Sequence, residues 1–98
     1  MKVEISKRAR RNAERIDAWW RKHRDAKDLF AKEFQEAIQL LETEADPGTP
    51  RPTARRTGLR RILLKKTRRH IYFEIRDREQ VVRILSVWGA TRERDPEL

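Results

Sequence analysis

Three prolines lie within six residues near the middle of the chain, at positions 47, 50 and 52. Proline has no backbone N–H and a fixed φ, so a segment this rich in proline is predicted to continue neither a helix nor a sheet. Before this segment, apolar residues recur every three or four positions; after it they recur mainly every two. Asp46–Pro52 therefore divides a helical half from a β half. At 98 residues, we expect both halves to share a single domain, residues 1–98.

The helical half begins with a short strand. Val3 and Ile5 alternate with polar residues over positions 2–6, which is typical of a strand with one buried face. Ser6 can then cap a helix by accepting from the free N–H groups of its first turn. The helix is predicted to end between His23 and Asp25. Its apolar stripe consists of Ala9, Ala13, Ile16 and Trp20.

A second amphipathic helix follows, and Asp25 or Asp28 can cap it. We expect Glu33 and Glu36 on its outer face. The short connection makes the two helices an antiparallel hairpin. The apolar stripe of the second helix consists of Phe30, Phe34, Ala37, Ile38 and Leu41.

The β half predicts three strands, at residues 58–65, 70–76 and 80–88. In the second of them, Tyr72 faces away from its apolar neighbours and toward an open face of the sheet. The third strand is apolar on both faces, so it belongs inside the sheet. Its predicted faces are Val82, Ile84 and Trp88 on one side, and Val81, Leu85 and Val87 on the other.

These elements give an α+β fold of order β-α-α-β-β-β, with a helical hairpin on one face of a small, mostly antiparallel sheet. The remaining tail, residues 89–98, is polar. We expect its order to depend on a partner.

The net charge of +9 is concentrated in the β half. Residues 50–98 carry 14 basic and 6 acidic side chains. One stretch holds nine basic residues and no acid, and such a field favours a polyanion or an acidic protein segment over a neutral partner. The nine are Arg51, Arg55, Arg56, Arg60, Arg61, Lys65, Lys66, Arg68 and Arg69.

The residues that could carry catalysis are few. There are no cysteines, and His23 and His70, the two histidines, are too far apart in sequence to indicate a metal site. Neighbouring arginines would hold His70 neutral, so it could serve as a general base, although a strand-end role without chemistry is the stronger interpretation. No cofactor motif is present. No apolar run approaches the roughly 20 residues that span a bilayer, and we expect a cytoplasmic protein with no membrane partner.

Three segments together resemble the RelE/ParE superfamily, the toxins of bacterial type II toxin–antitoxin modules. They read VEISKRARRNAERIDAWW, LFAKEFQEAIQLLE and GLRRILLKKTRRHIYFEIRDREQVVRILSVWGATRERDPEL. The resemblance covers nearly the whole chain, and the order and spacing of its three last strands carry most of it. The fold that the superfamily implies, β-α-α-β-β-β, is the order obtained above from periodicity alone.

The resemblance implies one of two targets. RelE-like members cleave mRNA on the ribosome without a metal, and a C-terminal Tyr or His often takes part; ParE-like members poison DNA gyrase. This sequence has no Tyr or His after Trp88, which favours the ParE-like activity and no catalytic residues. If the chain is a nuclease instead, the implied catalytic residues are Arg60, Lys65, His70 and Arg92. For target binding we expect Arg60, Arg61, Lys65, Lys66, Arg68, Arg69, Arg92 and Arg94.

The resemblance also implies partners. A cognate antitoxin would wrap the helical hairpin and part of the sheet with an acidic or amphipathic segment, and would link the toxin indirectly to operator DNA. Trp19, Phe30 and Tyr72 are the expected antitoxin contacts. A third hypothesis is a basic nucleic-acid-binding module without toxicity.

Overall fold

A computed structural model describes residues 1–91 and 95–98. Its elements are β1 (Lys2–Ile5), α1 (Lys7–His23), α2 (Leu29–Thr43), β2 (Thr49–Pro50), β3 (Leu59–Leu64), β4 (Arg69–Arg76) and β5 (Val81–Gly89). The strand order in the sheet is β1-β5-β4-β3-β2. β1 runs parallel to β5, and every other pairing is antiparallel. The predicted α+β fold is confirmed, including the interior position of the last strand.

The two helical stripes form the main core with one face of the sheet. The stripe residues of α1 and α2 pack together with Ile71 and Phe73 of β4 and with Val82 and Ile84 of β5. Ser6 caps α1 as predicted, since its Oγ accepts from the Ala9 N–H at 3.0 Å. Within the described residues, neither helix is long and apolar enough to cross a membrane.

Asp28, one of the two predicted caps, occupies the N-cap position of α2, but its side chain makes no capping hydrogen bond and pairs with Lys32 at 3.0 Å. The predicted outward position of Glu33 is wrong. The Glu33 side chain does not simply point into solvent. Its carboxylate accepts from the backbone N–H groups of Lys66 and Thr67, at 2.7 and 3.0 Å, and from the Thr67 hydroxyl at 2.6 Å. The turn between β3 and β4 is therefore fastened to α2.

The proline segment contributes a strand that its sequence does not predict. Thr49 and Pro50 pair with Arg61 and Arg60 of β3 at the edge of the sheet. An edge strand tolerates proline because one side of its backbone needs no sheet partner. Gly48, just before it, has φ of 71°, and a Cβ there would lie 2.6 Å from the Arg61 carbonyl oxygen. The chain therefore approaches β3 more closely than any residue except glycine allows.

A register shift in β5 corrects the predicted faces of that strand. Phe73 pairs with Ile84 and Tyr72 with Ser86, so Leu85 is an extra residue between them. Such a bulge reverses the alternation of side chains beyond it. As a result Val87 packs into the core under the helices, whereas Trp88 packs on the opposite cluster with Tyr72 and Leu85.

Candidate functional site

The sheet face opposite the helices carries a small apolar cluster of Leu59, Tyr72 and Leu85, against which Trp88 and Leu98 pack. Tyr72 points to this face as predicted, but it is only 1% exposed. The described end of the tail, residues 95–98, lies over it. These residues have contacts within the chain itself, and the dependence of the tail's order on a partner stays a prediction.

Asp95 is the polar centre of this face. Its Oδ1 accepts from the Tyr72 Oη at 2.7 Å and lies 3.4 Å from Nη1 of Arg61, and its Oδ2 accepts from Nε of Arg51 at 3.0 Å. The Tyr72 hydrogen bond, followed by Arg51 and Arg61, holds the pKa of Asp95 below its usual value. Burial is the main cause that raises the pKa of Tyr72, and the hydrogen bond to Asp95 raises it further. A carboxylate, a neutral phenol and two guanidinium groups thus form one network.

His70 lies beside this network, with its ring centroid 6.0 Å from that of Tyr72. Its pKa is lowered mainly by burial and then by the charges of Arg61, Arg51 and Arg68, against an opposing effect of Asp95. The sequence predicts a neutral imidazole from the neighbouring arginine charges, whereas burial is the larger cause of the lowered pKa in this structure.

The structure separates the two adjacent arginines of β3. Arg61 pairs in register with Tyr72 on the face opposite the helices, whereas Arg60 pairs with Phe73, whose ring is in the core under the helices. Arg60 donates to the carbonyl oxygens of Pro47 and Gly48, at 2.9 and 3.1 Å, and forms an ion pair with Asp46 at 3.1 Å. Arg60 therefore fastens the segment before β2, and it does not share a surface with Arg61.

The other cations predicted to bind a target divide by position. Lys65, Lys66 and Arg68 have exposed side chains in the turn between β3 and β4. Arg69 is half-buried and donates to the carbonyl oxygens of Thr67 and Arg68. Arg92 and Arg94 lie outside the described residues. The exposed positive tip of the hairpin is thus formed by the turn residues, 65–68.

Of the predicted antitoxin contacts, only Trp19 is exposed, at 41%. Phe30 is 2% exposed and stacks on Phe34, with ring centroids 5.6 Å apart. Trp19 borders a groove of about 330 Å³ between α1 and the end of β5, together with Ile16 and Trp88. Among the described residues, the guanidinium groups of Arg15 and Arg69 line the same groove.

Residues whose contacts join segments far apart in the sequence were not predicted. Asn12 of α1 accepts from the Ser86 hydroxyl at 3.1 Å and from the Val87 N–H at 3.2 Å, which fixes the helix beside the bulge. Asp95 gives no signal in the sequence, because only its position in space brings it to Tyr72. Among the residues that the structure describes, no group of three or more His, Asp or Glu side chains could hold a metal ion.

The chain thus combines a helical hairpin on one sheet face with a basic network on the other. A family model described as the ParE toxin of the type II toxin–antitoxin system parDE matches residues 3–94. The chain belongs to this ParE toxin family.

Solved structures agree with this fold. The chain is similar to a chain of the chromosomal ParDE toxin–antitoxin system of P. aeruginosa, with 16% identity, a TM-score of 0.72, and coverage of 91% of this chain and 95% of that one. It is also similar to the isolated RelE toxin of E. coli, with 18% identity, a TM-score of 0.59, and coverage of 94% and 86%. It is similar, too, to a chain of the intact E. coli RelBE toxin–antitoxin complex, with 20% identity, a TM-score of 0.54, and coverage of 93% of this chain and 98% of that one. No curated protein sequence matches the chain.

Proposed function

We propose that this ParE-family toxin arrests growth by binding DNA gyrase, without catalysing a reaction of its own. The observation that carries the proposal is the state of Tyr72. It is the single tyrosine of the chain, and its hydroxyl is buried and hydrogen-bonded to Asp95. A phenol in this state is not placed to transfer a proton to or from an RNA.

The surface proposed to contact gyrase is the positive tip of the β3–β4 hairpin. Lys65, Lys66 and Arg68 project from a turn that Glu33 fastens to α2. A rigid element that presents several cations gives electrostatic complementarity and fast association with an acidic surface. Arg61 stays engaged by Asp95 and contributes less.

A supercoiling and DNA-cleavage assay with purified gyrase tests this proposal. Accumulation of cleaved DNA, abolished by the cognate antitoxin, is the expected result. The triple variant Lys65→Ala/Lys66→Ala/Arg68→Ala should lose the effect. The matched variant Lys2→Ala/Lys22→Ala/Lys27→Ala removes the same charge from other surfaces and should retain it. Unchanged supercoiling by the parent chain would contradict the proposal.

A ribosome-dependent mRNA endonuclease is the second candidate, and His70 is the observation that favours it. A neutral imidazole beside the Arg61 guanidinium could take a proton from a ribose hydroxyl. The implied catalytic set is nevertheless not assembled in the described residues, because Arg60 lies on the other face and is held by Asp46. Toeprinting on translating ribosomes separates the candidates, since only a nuclease produces cuts at A-site codons.

For the antitoxin, we propose that an acidic amphipathic segment docks in the groove beside Trp19. Its apolar side chains would meet Ile16 and the two indoles, and its carboxylates would meet Arg15 and Arg69. Trp19→Ala should weaken antitoxin binding by roughly 2 kcal/mol, the scale of an aromatic hot spot. Leu40→Ala is the control, because Leu40 is similarly exposed, at 37%, but does not line the groove. Equal losses in calorimetric titrations of the two variants would contradict this placement.

A further inference from the structure

Of the described residues, five arginines from distant parts of the sequence line a second depression, which has a volume of about 530 Å³. One is in the first turn of α1, two are in the loop between β2 and β3, one ends β4 and one is in β5. Among the residues that the structure describes, Glu97 is the one glutamate that lines the same depression. The five arginines are Arg8, Arg55, Arg56, Arg76 and Arg83.

Most guanidinium nitrogens of these arginines make no hydrogen bond or ion pair with the described residues. Arg56 pairs with Glu74 at 2.6 Å, Arg83 pairs with Glu4 at 3.3 Å, and Arg8 donates to the Glu97 carbonyl oxygen. Each of these contacts uses one guanidinium nitrogen. Within the described part of the chain, the side chains of Arg55 and Arg76 have no partner.

The start of α1 strengthens the positive field at this place. The N-terminus of a helix carries a partial positive charge, which acidic residues usually offset. The first turn of α1 contains no acid, and it contains Lys7, Arg8 and Arg10 instead. Like charges gathered at a helix N-terminus carry a free-energy cost, and a bound anion at the depression would remove it.

We propose that this arginine depression binds the phosphodiester backbone of duplex DNA. Guanidinium groups match phosphate oxygens with paired N–H donors. None of the described residues that line the depression is aromatic, so these residues offer no stacking platform of the kind with which proteins hold single strands. Its apolar floor at Leu85 is only 7% exposed and packs with Leu98, which leaves little apolar surface for a peptide. This DNA binding goes beyond the proposed gyrase binding and does not depend on it.

Fluorescence anisotropy with a labelled duplex of mixed sequence tests the proposal on the full chain. Affinity is measured between about 50 and 200 mM KCl, where backbone binding falls steeply with salt. Arg55→Ala/Arg76→Ala should weaken binding and reduce the slope of log affinity against log salt by about 1.8, or about 0.9 for each phosphate that is no longer neutralised. Arg55→Lys/Arg76→Lys keeps the charges and should keep the slope.

Lys22→Ala/Lys27→Ala is the matched control. It removes the same charge, and Lys22 lies about 21 Å from Arg8 along the axis of α1. Both arginines to be replaced are exposed, and unchanged circular dichroism will show that the variants fold. An equal loss of slope in the control variant would overturn the proposal. So would displacement of the duplex by poly-glutamate of equal charge, or equally tight binding of a single strand.

Discussion

The Tyr72 hydroxyl donates a hydrogen bond of 2.7 Å to Asp95, across 23 positions of the sequence. This bond holds the end of the tail over the open face of the sheet and takes the only phenol of the chain out of solvent. Arg51 and Arg61 complete the shell around the same carboxylate. A face that the sequence predicts to be open is therefore closed by the chain itself.

The titration of Tyr72 reports this bond directly. Because Tyr72 is the only tyrosine, absorbance near the phenolate band follows it alone. Its pKa should lie above 10, and Asp95→Asn should lower it, since the substitution removes a negative charge beside the phenol. An unchanged pKa in Asp95→Asn, with circular dichroism showing that the variant is folded, would contradict the docked tail.

The same bond predicts how the tail responds to acid. The folded-state pKa of Asp95 is lowered, so its contribution to stability is complete above the unfolded value of 3.8 and is lost as the pH falls through the folded value. We expect the tail to detach over that acidic range, before or together with unfolding. Proteolysis near residue 95, followed by mass spectrometry over the same range, measures it. A tail equally protected when Asp95 is protonated would argue against this account.

His70 should titrate below 6.5 in the folded protein, because burial and the nearby arginines disfavour its charged form. Its contribution to stability is therefore present above pH 6.5 and is lost as the pH falls through the lowered folded value. NMR of the imidazole protons gives the pKa, and His70→Asn assigns the signal. A value at or above 6.5 would contradict the buried, cation-flanked placement.

Glu33 should matter more than its position on a helix surface suggests. Glu33→Ala leaves the N–H groups of Lys66 and Thr67 without their acceptor, and we expect a loss of roughly 1–3 kcal/mol of unfolding free energy. Glu36→Ala, on an exposed position of the same helix, should change stability by less than about 0.5 kcal/mol. Thermal denaturation of the two variants compares them, and equal losses would refute the anchoring role.

Gly48 and Gly58 form a second matched pair. Gly48→Ala places a Cβ against the Arg61 carbonyl at a positive φ, and we expect it to cost roughly 1–3 kcal/mol. Gly58 has no atom within 4 Å of its would-be Cβ, so Gly58→Ala should be nearly neutral. Each 1 kcal/mol corresponds to about 4–8 °C in Tm for a chain of this size. Similar Tm values for the two variants would contradict the close approach of the chain to β3.

The local parts of the fold were predictable because their signals lie within a few residues. The stripe from Ala9 to Trp20 and the Ser6 cap need only helical periodicity and a terminal hydroxyl. The bulge at Leu85, the edge strand at Thr49–Pro50 and the Glu33 anchor depend on partners in other elements, which periodicity does not encode. The placement of Arg60 and Arg61 on opposite faces could have been predicted from the sequence, since adjacent residues of a strand point to opposite faces.

The candidate site was predicted less completely than the fold. The run of cations after Arg51 identified the basic hairpin, but not which of its members are exposed. The arginine depression joins Arg8 and Arg83 to that run across most of the chain length, so no window of sequence contains it. Asp95 carries no distinguishing pattern, and its role follows only from the contact with Tyr72.

Covalent gyrase–DNA adducts in cells test the central claim most directly. After induction of the chain without antitoxin, DNA-linked gyrase should accumulate before protein synthesis falls, and coexpressed antitoxin should prevent it. The Lys65→Ala/Lys66→Ala/Arg68→Ala variant should leave adducts at the uninduced level. Growth arrest with adducts at that same uninduced level, accompanied by mRNA cut at A-site codons, would contradict the account and assign the toxin to the ribosome.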